Sequence, residues 1–231
     1  MSALFLLVFL GTMGLALLAQ MYVKSMFRRY SRVPGSSGYT GAQVAAEILR
    51  RNGITEVSIH EHQSFLGDHY DPLHKRLVLS SDVYHGNSLS ALGVAAHEAG
   101  HAIQHKNAYL PLQLRMLAVG ATNYASQLVM WLPIIGMVTG LFQTYTGLAL
   151  MAAGWGVIML FNLITLPVEY DASRRAKDML SRLGFLRTPQ EGQGVAAVLN
   201  AAALTYVAAF ITSLAYMLMY LLPLLMGRSR D

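Results

Sequence analysis

The sequence predicts a mainly α-helical, polytopic membrane protein with about four transmembrane helices and a small α+β portion on the cytoplasmic side. Of its 231 residues, 54% are hydrophobic and only 13% are charged, far from the composition of an average soluble domain. Four apolar stretches are long enough to cross a hydrocarbon core of about 30 Å. The charged residues are concentrated in two segments between these stretches, and the chain has no cysteine.

The four predicted spans contain no Lys, Arg or Asp, and only Glu169 lies at a border. The first span is not expected to be a cleaved signal, because no basic residue precedes it and Leu17 stands where a cleavage site needs a small residue. We expect it to remain as an anchor. The spans are predicted at residues 3–23, 116–141, 148–168 and 202–226.

Positive charge beside the spans predicts their orientation. Lys and Arg residues follow the first and third spans and precede the second, whereas the connection 142–147 is uncharged. We therefore expect segments 24–115 and 169–201 in the cytoplasm and both chain ends outside, although the tail 227–231 carries two arginines. The net charge of +5 then reflects topology and attraction to anionic lipid, and no basic and aromatic patch indicates nucleic-acid binding.

The first cytoplasmic segment shows helical and then strand patterns. Thr40 and Gln43 predict a capping box for a helix that Gly53 ends, with an apolar face of Val44, Ala45, Ile48 and Leu49. Strands are predicted at 57–60 and 76–80, with a turn near Asp71 and Pro72. Neither cytoplasmic segment is large enough for a core of its own. We expect them to fold against each other, so that residues 1–231 form a single membrane-embedded unit.

The next helix, predicted to begin near Asn87 or Ser88, carries the pattern H-E-x-x-H at residues 97–101. Imidazoles four residues apart lie on one helical face, where both can bind one tetrahedral ion with Glu98 beside them. Gly100 costs about 1 kcal/mol inside a helix, which indicates a packing requirement. The alternative is that His97 and His101 are buried polar residues bonded to their neighbours, but the long apolar flanks favour metal ligands.

A catalytic zinc site needs a third protein ligand. His105 is excluded, because it would lie about 12 Å along the helix axis from His97. Glu169 directly follows the inner end of the third span, and the histidines lie shortly before the inner end of the second span. An antiparallel pair of spans would bring both to one membrane face, so Glu169 has the most favourable position. The alternative for Glu169 is an interfacial acid paired with Arg174 or Arg175. The carboxylates that follow His101 are Glu169, Asp171, Asp178, Glu191 and Asp231.

With these motifs the chain resembles the YugP-like neutral zinc metallopeptidases of bacterial membranes over nearly its whole length. That family is distantly similar to heat-shock membrane proteases and CAAX prenyl proteases, in which H-E-x-x-H is paired with a later Glu. The resemblance implies a zincin-like catalytic portion and one zinc ion per chain, held by His97, His101 and Glu169. The matching blocks are 69–72, 79–80, 95–104, 166–173 and 200–209.

One position departs from the pattern of those distant relatives. They usually carry an Asp four residues after the Glu, where this chain has Ser173, with Asp171 nearby. Asp171 either orients a histidine or neutralises an arginine. The implied reaction is zinc-assisted amide hydrolysis with Glu98 as the general base. His69, Tyr206 and Arg174 are candidate donors to the oxyanion, and an ordinary structural role competes for each.

The sequence therefore predicts an endopeptidase of the bacterial inner membrane that cleaves membrane or membrane-proximal polypeptides at the cytoplasmic face, in quality control. We hypothesise that residues 76–80 form an exposed edge strand that pairs with an extended substrate. The alternatives are a non-catalytic scaffold or chaperone braced by zinc, a site-2-type intramembrane protease and a prenyl-type processing enzyme. The presence of Glu98 argues against the scaffold, because a zinc ion that only stabilises the fold needs no general base beside it.

Overall fold

The computed structural model describes residues 3–63 and 67–227, so Asp231 and the charged tail lie outside the described residues. The structure is mainly helical with a small sheet, as predicted. Its helices are α1 (Ala3–Tyr30), α2 (Gly41–Arg51), α3 (Ser81–Tyr84), α4 (Leu89–Lys106), α5 (Leu110–Thr139), α6 (Tyr145–Arg182) and α7 (Pro189–Gly227), with a short 3₁₀ turn at Leu141–Gln143. Its strands are β1 (Ser58–His62), β2 (His69–Asp71) and β3 (Arg76–Ser80).

The chain divides into two compact units, each assembled from separate stretches. Among the described residues, the all-helical unit contains 3–18, 114–166 and 205–227, and the mixed unit contains 19–63, 67–113 and 167–204. The bounds of the mixed unit lie close to the two polar segments that the sequence predicts to fold together. That all 231 residues act as a single membrane-embedded unit stays a prediction.

In the part of the chain that the structure describes, three helices are long and apolar enough to cross a membrane, namely α1, α6 and α7. The predicted span 116–141 overlaps α5, a helix of 30 residues that ends at Thr139 and does not reach the same hydropathy over the described residues. Polar residues such as Asn123 and Gln127 dilute its apolar content. The count of four spans therefore stays a prediction. Inside the all-helical unit, a buried cluster joins Leu132, Met151, Ala152, Tyr220 and Leu224.

Helix α2 begins and ends as its sequence predicts. The Thr40 hydroxyl accepts a hydrogen bond from the Gln43 amide, and the Gln43 side chain accepts one from the Thr40 amide at 2.9 Å, which completes the capping box. The chain leaves the helix through Gly53, whose φ of +63° favours glycine. The predicted apolar face, Val44, Ala45, Ile48 and Leu49, is buried.

The sheet has the order β1-β3-β2, with β3 parallel to β1 and antiparallel to β2. Because β3 is the central strand, the hypothesis that residues 76–80 form an exposed edge for substrate is wrong. The sequence showed no strand at β2, which has only three residues. The Asp71 carboxylate accepts hydrogen bonds from the amides of Leu73 and His74, and this turn returns the chain so that β2 pairs with residues 76–78 of β3.

Helix α4 starts after Ser88, whose hydroxyl accepts a hydrogen bond from the Ala91 amide. It crosses the core of the mixed unit and packs closely against α6. A Cβ atom on Gly100 would lie 2.8 Å from the carbonyl oxygen of Ala172, closer than van der Waals contact allows. The packing requirement that the sequence indicates for Gly100 is therefore confirmed, because only glycine lets the two backbones approach this closely.

We expect Gly100→Ala to lower the midpoint of thermal unfolding in detergent, because the new methyl group must push α6 away from α4. Overpacking of this kind typically costs about 1–3 kcal/mol. Gly192→Ala is the matched control, since a Cβ there meets no atom within 4 Å and both variants share the gain in helix propensity. A Gly100→Ala protein as stable as Gly192→Ala would show that the close approach is not required.

Candidate metal centre

Helix α4 and the part of α6 that belongs to the mixed unit bring His97, His101 and Glu169 together. On α4 the two imidazoles lie one turn apart, with ring centroids 4.7 Å from each other. On α6 the Glu169 Oε2 atom lies 3.3 Å from His97 Nε2 and 3.7 Å from His101 Nε2. The Glu169 residue is only 1% exposed. One ligand atom from each residue lies within 4.8 Å of the others, so the three can converge on one ion.

The donor set fits zinc, which binds imidazole nitrogens and carboxylate oxygens and keeps three protein ligands in its catalytic sites. In the described part of the chain, no other group of His, Cys, Asp and Glu residues is arranged in this way. Burial alone lowers the pKa of His101, but the hydrogen bond to Glu169 and its negative charge outweigh burial and raise it. The surroundings of His101 therefore favour a positive charge on this imidazole.

Each imidazole also has a partner for its other ring nitrogen. The Ser173 hydroxyl lies 3.1 Å from His97 Nδ1. Ser173, which stands where the distant relatives usually have Asp, therefore contacts a candidate ligand directly. Gln104 Oε1 lies 3.0 Å from His101 Nδ1. Sequence reasoning did not single out Gln104 as a site residue. Its position three residues after His101 on the same helix was the available signal, since such residues share a face.

The sequence left open whether Asp171 orients a histidine or neutralises an arginine, and its contacts lead to both. Its carboxylate accepts hydrogen bonds from Arg175 at 2.5 Å and from Arg174, so it neutralises arginines. It also accepts a hydrogen bond from Gln104 Nε2 at 2.9 Å. Asp171 therefore reaches His101 through Gln104 and not by direct contact.

Glu98 follows His97 on α4 and is 8% exposed. It forms no hydrogen bond or ion pair with another residue in the described ranges 3–63 and 67–227. Sequence reasoning missed its neighbour Asp68, which accepts a hydrogen bond from the Ser80 amide at 2.7 Å. Burial raises the pKa of Asp68 and the charge of Glu98 adds to this, although hydrogen bonds from Ser80 oppose it.

The remaining candidates lie in varied surroundings. His69 is exposed on β2, with its ring 2.8 Å from the Gly67 carbonyl oxygen. Arg174 contacts Asp171, and Tyr206 lies on α7 in the all-helical unit. Their roles as oxyanion donors stay predictions. His105, which helix geometry excluded as a ligand, instead lies 2.9 Å from the Tyr70 hydroxyl through Nδ1.

We expect about one zinc per chain in the purified wild type and far less in Glu169→Ala, because the variant lacks the buried third donor. Asp178→Ala is the matched control, since Asp178 lies on the same helix and pairs with Arg182 at 2.9 Å on the surface. Elemental analysis of the three proteins side by side measures this. Equal zinc in wild type and Glu169→Ala would mean that the third ligand is another residue.

Comparison with known proteins agrees with this geometry. A family model described as "Putative neutral zinc metallopeptidase" matches residues 5–225. The chain is 42% identical over 233 aligned positions to "Putative membrane protease YugP" of Bacillus subtilis (strain 168), which covers 99% of this chain and 100% of that relative. No solved structure matches the chain. The match over nearly the whole length shows that the chain belongs to this family of neutral zinc metallopeptidases.

Proposed function

We propose that this protein is a zinc-dependent endopeptidase of the bacterial inner membrane, which cleaves membrane or membrane-proximal polypeptides at the cytoplasmic face in quality control. The observation that carries the proposal is the convergence of His97, His101 and Glu169 beside the buried carboxylate of Glu98. Membership of a zinc metallopeptidase family and similarity to a protein named as a membrane protease support the same conclusion.

The chemistry follows from the donor set. Zinc, when bound, supplies a Lewis acid that polarises a peptide carbonyl and makes a water molecule more acidic. Glu98 takes the proton from the attacking water and passes it to the leaving amine. This role needs a carboxylate that is not engaged elsewhere, and Glu98 has no hydrogen-bonding or ionic partner among the residues that the structure describes.

The number of protein ligands favours catalysis over a structural zinc site. Structural sites are almost always closed by four protein ligands, whereas catalytic sites have three and leave a position for water or substrate. The cluster here has three members among the described residues. A scaffold braced by zinc would have no use for a free carboxylate next to its ligands, so the peptidase is the better explanation of Glu98.

We expect Glu98→Gln to retain zinc and lose peptide hydrolysis by at least about 100-fold, because the amide cannot accept the proton of the attacking water. Cleavage of fluorescently labelled casein and zinc content are measured on the same preparations. Glu47→Gln is the control, since Glu47 pairs with Arg50 and Arg51 on the surface of α2. Normal hydrolysis by Glu98→Gln would refute Glu98 as the base, and a zinc-loaded wild type without any peptidase activity would favour the scaffold.

The proposed orientation can be tested because the chain has no cysteine, so each introduced thiol is the only one. We expect Arg51→Cys, in the mixed unit, to react with a membrane-impermeant maleimide only after the cells are permeabilised. Tyr145→Cys, within the predicted outer connection 142–147, is expected to react in intact cells. Both wild-type residues are exposed. The reverse labelling pattern would place the metal centre on the outer face.

A further inference from the structure

We infer that Gln104 is a positioning residue of the metal centre, which holds the proton of His101 on Nδ1 and ties α4 to the turn of α6 that carries Glu169. The inference rests on the proposed zinc site and deepens it. Gln104 is fully buried, and the side-chain amide makes three hydrogen bonds within the mixed unit. No role in the proposed hydrolysis has so far required this residue.

The orientation of the amide follows from the chemistry of its partners. Gln104 Nε2 lies 2.8 Å from the Val168 carbonyl oxygen and 2.9 Å from Asp171 Oδ2. Both of these partners are acceptors. The Val168 atom is a backbone carbonyl oxygen, and the Asp171 carboxylate is paired with Arg174 and Arg175. An amide NH₂ has two hydrogens to donate, whereas the amide oxygen has none. The nitrogen must therefore face Val168 and Asp171, and the oxygen must face His101.

This orientation determines the tautomer of His101. The Gln104 oxygen can only accept, so the His101 Nδ1 atom at 3.0 Å must carry a proton. In the neutral ring Nε2 then has a free lone pair, and Nε2 is the atom 3.7 Å from Glu169. Histidine ligands are generally oriented in this way by an acceptor on their second nitrogen, and loss of that acceptor weakens metal binding. His97 differs, since its partner Ser173 can either donate or accept.

The two donated hydrogen bonds give Gln104 a second effect on the same centre. Val168 precedes Glu169 by one residue and Asp171 follows it by two, so the amide contacts α6 on both sides of the third ligand. Gln104 thereby couples the orientation of His101 to the position of Glu169. The hydrogen bond from Gln104 to Asp171 also connects the centre to a charged cluster, because the Asp171 carboxylate pairs with Arg174 and Arg175.

The test compares the zinc affinity of three full-length variants in detergent, measured by competition with a chelator. Gln104→Met keeps the length of the side chain and removes its hydrogen bonds, and we expect it to bind zinc about 10–100-fold more weakly. Ser90→Ala is the matched control, because Ser90 is also buried on α4 and loses a hydrogen bond to the Phe27 carbonyl oxygen. It is expected to bind zinc as wild type does.

The third variant tests rescue. In Gln104→Glu, the side chain keeps its length and an oxygen that accepts from His101 Nδ1, and its protonated carboxyl group can still donate one hydrogen bond to Val168 or Asp171. We expect this variant to recover at least half of the loss in affinity on a logarithmic scale. A Gln104→Met protein with wild-type affinity, a loss equal to that of Ser90→Ala, or a Gln104→Glu protein that binds zinc no better than Gln104→Met would overturn the inference.

A measurement on the wild type covers the case in which a variant fails to fold. In zinc-loaded protein with ¹⁵N-labelled histidine, His101 is expected to show a protonated Nδ1 and a zinc-bound Nε2. Ser173→Ala identifies the signal of His97, because Ser173 contacts His97 Nδ1, and the other zinc-bound histidine is then His101. Zinc on Nδ1 of His101 would overturn the inference while leaving the zinc site intact. A wild type that takes up no zinc would overturn the proposed function and this inference together.

Discussion

The close approach of α4 and α6 is the constraint on which the centre depends. At Gly100 the two backbones lie so near that a Cβ would meet the Ala172 carbonyl oxygen at 2.8 Å. Glu169 is three residues before Ala172, about one helical turn, and Gly100 lies between the two histidines in sequence. Side chains 72 residues apart therefore meet within hydrogen-bonding distance. A wider spacing between the helices would separate Glu169 from both imidazoles.

Burial of charge explains how the polar groups at this contact are arranged. Glu169 and Asp171 lie two residues apart on α6, and both are largely buried. An isolated buried carboxylate is costly unless it is paired or binds a metal. Asp171 is compensated by Arg174 and Arg175, whereas Glu169 faces His97 and His101. One acid thus has permanent cations beside it, and the other faces groups that can share a metal ion.

The hydrogen bonds of Gln104 connect these two environments. A buried amide must satisfy both its oxygen and its nitrogen, and here the oxygen faces the metal centre while the nitrogen faces the acid of the arginine cluster. Ser173 has the corresponding position at His97. The candidate ligands are therefore held by packing at Gly100 and by directional hydrogen bonds. Both constraints limit how far a candidate ligand can move.

Local sequence patterns predicted the elements that depend on neighbouring residues. Spacings of three or four residues, which helix geometry determines, predicted the capping box of α2 and the face shared by His97 and His101. The start of α4 was predicted near Asn87 or Ser88, and Ser88 is the residue that caps it. Glu169 was favoured as the third ligand because the inner ends of the second and third predicted spans indicated that it lies at the same membrane face as the histidines. The close packing at Gly100 was also indicated, since a glycine inside an apolar helix otherwise has a cost.

The sequence by itself thus determined the membrane character, helices α2 and α4 and the candidate donor types, because these depend on composition and short-range periodicity. Only the tertiary structure decided that β3 is central, since the order of strands depends on which distant strands pair. It also decided that Asp171 reaches His101 through Gln104 and that Ser173 contacts His97. Hydrogen bonds between helices depend on distances and angles across a packed interface, and spacing along one chain does not specify them.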